Sequence, residues 1–109
     1  MMNLRRVCNN YYVLTWSNNS DSTYKIAVLC MLLGYKKEYC WDLHEPNVRK
    51  EGYTNSFDTR DNEIDMATFS DKIIVIIKTR DEKELLKKIN EVRGDNYSLT
   101  EKGELIRSK

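Results

Sequence analysis

The chain has 109 residues, a formal net charge of +1, 32% charged residues and 40% hydrophobic residues. That length makes one domain, residues 1–109, with a core that needs no disulfide or metal. The near-neutral balance excludes a global field steering the chain to nucleic acid or an anionic membrane, and the longest apolar run, residues 26–33, falls far short of the roughly 20 residues of a membrane span.

Residues 1–8 carry Arg5 and Arg6 with no apolar stretch behind them. No signal peptide is expected, and this segment reads as a loose arm. Residues 10–16 are aromatic and β-branched and predict a first strand, apolar on both faces. A polar connector, residues 17–22, offers Ser20, Asp21 or Ser22 as helix caps. A helix is expected from Thr23 to Leu33, with Tyr24, Ala27, Val28, Met31 and Leu32 turned inward and Gly34 closing it.

Residues 38–44 alternate, with Tyr39, Trp41 and Leu43 on one face and Cys40, Asp42 and His44 on the other. This predicts a half-buried edge strand, ended by Pro46. Residues 47–69 are polar and read as a long loop or insertion holding Tyr53 and Phe57 as isolated aromatics.

Lys72-Ile73-Ile74-Val75-Ile76-Ile77-Lys78 is the strongest signal in the chain. Five β-branched residues in a row predict a central strand covered on both faces. Thr79 and Glu82 then fit a capping box, and Leu85, Leu86, Ile89 and Val92 make the apolar stripe of a helix that Gly94 closes. Residues 96–100 predict a short last strand, and residues 101–109 a charged tail.

The order βαβ, loop, βαβ predicts an α+β fold: a ferredoxin-like βαββαβ sandwich with a long insertion between strands 2 and 3. A thioredoxin-like fold is the alternative. In the ferredoxin-like arrangement, helices cover one face of the sheet. The other face of residues 73–77 then needs the 47–69 insertion or another chain to cover it.

Candidate chemistry is sparse. Cys8, Cys30 and Cys40 have no paired spacing, which points to free thiols in a reducing, cytoplasmic compartment. Cys40 and His44, four apart on a strand, would stand roughly 13 Å apart and could not ligate one ion. Asp58, Asp61, Glu63 and Asp65 lack the Gly and the terminal Glu of a calcium loop. Residues 17–22 lack the Gly of a phosphate loop. Residues 73–77 lack the aromatics of an RNA-recognition strand. No cofactor and no catalytic residue are expected.

Two stretches resemble known families. Residues 23–35, with Lys25 and the ending Leu32-Leu33-Gly34, are similar to the first helix of the thioredoxin-like domain of glutathione transferases, which implies a thiol-linked role. The proline before strand three and the Glu-Ser pair of that family are absent, so no residue role is carried over. Residues 97–106 are similar to the wing and following helix of winged-helix regulators, which implies nucleic-acid binding with the preceding helix as reader.

The residues themselves favour a small intracellular binding or regulatory protein that is not an enzyme and works through a protein partner or as a homodimer. Its size and its Asn, Lys and Tyr content suit an accessory protein of a virus, phage or mobile element. Nucleic acid is a less favoured partner, and a membrane is excluded. Aromatic and Arg side chains dominate contact energy, and loops carry function. The expected contact residues are therefore Arg49, Tyr53, Phe57 and Arg60 in the insertion, with Asp42 and His44 on the second strand.

Overall fold

The computed structural model describes residues 2–59 and 61–107. Its centre is a five-stranded sheet in which every neighbouring pair is antiparallel. The strands are β1 (Met2–Cys8), β2 (Tyr11–Ser17), β3 (Thr54–Asp58), β4 (Asn62–Thr68) and β5 (Lys72–Thr79). Their order across the sheet is β1-β2-β5-β4-β3. Three helices, α1 (Ser20–Leu32), α2 (Lys37–Asp42) and α3 (Glu82–Arg93), complete the α+β layers, with a 3-10 turn at Pro46–Arg49. A separate hairpin, β6 (Tyr97–Leu99) with β7 (Leu105–Arg107), follows α3. Among the described residues no helix is long and apolar enough to cross a membrane.

The sequence signal at residues 72–78 finds its place: β5 is the central strand. Its odd-numbered residues Ile73, Val75 and Ile77 are buried with Tyr12, Leu14 and Trp16 of β2 and Ile64 and Met66 of β4. Ile26, Leu29 and Cys30 of α1 and Leu85 and Ile89 of α3 close over them. At about 25 cal/mol per Å² of apolar area, this contiguous cluster is the main stabilising term.

Several expectations give way. The ferredoxin-like order is met only in part. β2 and β4 flank β5 and run parallel to each other, with α1 in the connection between them. However, the place beside β2 is taken by β1 and not by the last strand. Residues 2–8 are thus no loose arm: Met2 and Leu4 point inward on an edge strand. The thioredoxin-like alternative needs neighbouring parallel strands, and the sheet has none among its pairs.

The expected second strand is helix α2. Cys40 and Leu43, three apart, are its buried positions, a helical spacing that the alternation of Tyr39, Trp41 and Leu43 concealed. Within the 47–69 segment, Thr54–Asp58 and Asn62–Thr68 are strands that pair from Thr54↔Ala67 to Asp58↔Glu63. They widen the sheet and leave its second face open. In α1 the cap is Asn19, whose side chain accepts from the Ser22 N–H at 2.9 Å. Tyr24 faces out, and Ile26, Leu29 and Cys30 face in. In α3 the cap is Asp81, accepting from the Glu84 N–H, because Thr79 still belongs to β5.

The charged tail, within the described residues, contains β7. The β6–β7 hairpin docks on the free edge of β1, where the Arg6 N–H donates to the Gly103 carbonyl at 3.0 Å. Gly103 has φ +82, and a Cβ there would lie 2.5 Å from the Arg6 carbonyl oxygen, so only Gly permits this approach. Where the winged-helix resemblance implies a helix within residues 97–106, the chain forms strand β7 instead.

Candidate interaction surface

Pairing register fixes which side chains share the uncovered face. One row runs Arg5, Val13, Ile76, Asp65, Ser56 across the five strands. The next runs Asn3, Thr15, Ile74, Ala67, Thr54. A third holds Tyr11, Lys78, Glu63 and Asp58. No helix packs over these rows. Ile76, on the central strand, keeps 40% of its surface exposed, and Tyr11 keeps 38%. Val13, Thr15, Ile74 and Ala67 are half-buried around Ile76.

The face therefore has an apolar centre with a charged rim of both signs. Arg5 lies on the β1 side; Asp65, Glu63 and Asp58 lie on the β4–β3 side. Lys78 leans over the Tyr11 ring at 5.6 Å and stands 3.9 Å from Glu63. Asp65 accepts from the Ser56 hydroxyl at 2.7 Å. Among the described residues Arg5 has no ion-pair partner within the chain.

The residues singled out in the sequence do not converge. Arg49 sits in the 3-10 turn, and its carbonyl accepts from Asn18 Nδ2 at 2.7 Å. The Thr68 hydroxyl donates to the neighbouring Val48 carbonyl at 2.7 Å, fixing that turn to β4. Tyr53 and Phe57 are half-buried against the core. The Tyr53 hydroxyl accepts from Asn55 Nδ2, and Phe57 meets Tyr35 edge-on at 6.0 Å. Arg60 lies outside the described residues. Asp42 and His44 are exposed at the end of α2. There His44 joins Tyr24 and Trp41 in a ring cluster with centroids 5.6 to 6.5 Å apart. Those rings touch one another and enclose no space.

Two buried polar groups lie on the covered side. Tyr12 donates to Glu82 Oε1 at 3.0 Å, and Arg6 Nε pairs with the same oxygen at 3.3 Å. Burial, with the bond to Glu82, pushes the Tyr12 phenol up to about 12. Cys30 of α1 and Cys40 of α2 are buried free thiols. The neighbouring Cys40 thiol and burial hold Cys30 well above the usual thiol range, which keeps it protonated. Among the described residues no group of three or more His, Cys, Asp or Glu converges as a metal site.

A cleft of about 590 Å³ opens where β5 ends, between the C-terminus of α1 and the start of α3. Its lining mixes Asp61, Glu63, Asp81 and Glu84 with Lys78 and Arg80. The carboxylates there are exposed.

Arg5, Val13, Ile76 and Asp65 share the open face and are not among the contact residues the sequence singled out. The β-branched run predicts cover on both faces; among the described residues one face of β5 is covered. The chain matches no protein-family model, no curated protein and no solved structure.

Proposed function

We propose that this is a non-enzymatic binding or regulatory protein that acts through protein–protein contacts on the open face of its sheet. The observation that supports the reading is Ile76, on the central strand of the sheet, left 40% exposed among other apolar side chains. Contiguous exposed apolar area rimmed by polar groups is the mark of an interaction surface. The fold reading that goes with it is a relative of the ferredoxin-like sandwich in which β1 fills the fourth-strand position. Nucleic acid fits the face less well: Asp58, Glu63 and Asp65 would repel a phosphate backbone.

A photo-crosslinking residue placed at Asn3, on the rim of the face, tests this against one at Lys83, exposed on α3. Illumination in the expressing cell should yield polypeptide adducts from position 3 and none from position 83. Equal adducts at both positions, adducts to nucleic acid only, or none at position 3 would contradict the reading.

A further inference from the structure

We infer that the occupant of the open face is a second copy of this chain, packed face to face about a two-fold axis. This rests on the reading of that face as a protein-binding surface. The register gives the geometry. Place the axis between β2 and β5, close to the strand direction, in the plane between two facing sheets. Such an axis exchanges β2 with β5 and β1 with β4 while keeping each row at its own height. Strand order β1-β2-β5-β4-β3 then brings β1 of one copy over β4 of the other.

The chemistry of the rows fits this operation. In the first row Arg5 comes over Asp65 of the second copy, and Val13 over Ile76. In the next, Asn3 comes over Ala67 and Thr15 over Ile74. In the third, Tyr11 comes over Lys78, the same kind of pair that the two already make within one chain at 5.6 Å. A two-fold interface must be self-complementary, since each contact occurs twice. Here apolar meets apolar at the centre, and Arg meets Asp on both sides. Arg5, without an ion pair among the described residues of its own chain, gains one. Aligned packing of two twisted sheets, offset by about 30°, has this form.

The size of the face sets the strength. The axis leaves β3 outside the overlap, and four strands of seven or eight residues at about 3.3 Å per residue, spaced about 4.8 Å apart, make an overlapping face of roughly 450 Å² in projection. Standard interfaces take about 800 Å² from each partner. The dimer is therefore reversible and depends on concentration.

Sedimentation of charge variants tests the register. Arg5→Asp sets Asp against Asp65, and Asp65→Arg sets Arg against Arg5. Each alone should weaken dimerisation at least about tenfold, since both symmetric contacts become repulsive. An equimolar mixture of the two variants should regain the dimer, because every Asp then faces an Arg. Both sites are exposed, so each variant should keep the wild-type circular dichroism and melting temperature.

The inference is overturned if the wild-type chain stays monomeric up to about millimolar concentration, if single charge reversals leave the dimer unchanged, or if mixing fails to restore it. A crosslinked adduct at position 3 to a different polypeptide, with a monomeric wild type, would leave the binding reading standing and remove the second copy. No adduct would remove both.

Discussion

Val75 and Ile76 are neighbours on the central strand, yet Val75 is 1% exposed and Ile76 40% exposed. The pleat sends one into the core beneath α1 and α3 and the other onto the open face. The two positions should answer to mutation in opposite ways. Val75→Asp buries an unpaired charge and should cost more than about 3 kcal/mol, enough to unfold a small domain. Ile76→Lys places an ammonium beside Asp65 at an exposed site and should cost within about 1 kcal/mol. Thermal melts of the two variants give the comparison.

Tyr53 and Phe57 pack on the core from strand β3 and its approach. Tyr53→Ala and Phe57→Ala should each lower stability by about 1 to 3 kcal/mol, below the full cost of a completely buried aromatic. Arg49→Ala should change it by less than about 0.5 kcal/mol, since its recorded bond uses the carbonyl. Urea titration separates these outcomes.

Tyr12 couples stability to alkaline pH. Its folded pKa, about 12, lies above the ordinary phenol value of 10.0. The folded state thus favours the neutral phenol. Its contribution is whole below pH 10 and is lost as pH rises from 10 toward 12. Tyr12→Phe should be less stable than wild type at pH 8, through loss of the bond to Glu82, and the gap should narrow above pH 10. A gap that widens with pH would contradict the assignment.

Much of this architecture is legible from residues alone, and the failures have physical causes. β5 and α3 show because burial on one side or both imposes a long, regular pattern. β1 hides because its third inward position is Arg6, a charge made tolerable by Glu82 and by the Thr100 carbonyl at 2.8 Å. β3 hides because Thr54, Ser56 and Asp58 lie on the open face and only Phe57 is an apolar inward residue. α2 misleads because six residues make fewer than two turns, too few for a helical period to show over chance alternation. The open face was the least legible part. Knowing that β5 needs two covers does not reveal which strands border it, and Arg5 and Asp65 come into one row only through long-range pairing.

The thiols divide by burial. Cys8 is exposed, and Cys30 and Cys40 are buried free thiols. Maleimide should label one thiol within minutes under native conditions and all three in denaturant. Cys8→Ser should be neutral. Cys40→Ser puts a hydroxyl into a fully buried site and should cost about 1 to 2 kcal/mol. Three equally fast thiols would show that α2 does not stay docked on α1.

A second copy filling the open face of the sheet in solution, as proposed, has to pack on Ile76 at its centre. Sedimentation equilibrium of wild type and Ile76→Lys across the same concentration range tests it most directly. The wild-type mass should rise from monomer toward dimer with concentration, while Ile76→Lys, equally folded, should stay monomeric. Identical mass curves for the two proteins, whether both monomeric or both dimeric, would contradict it.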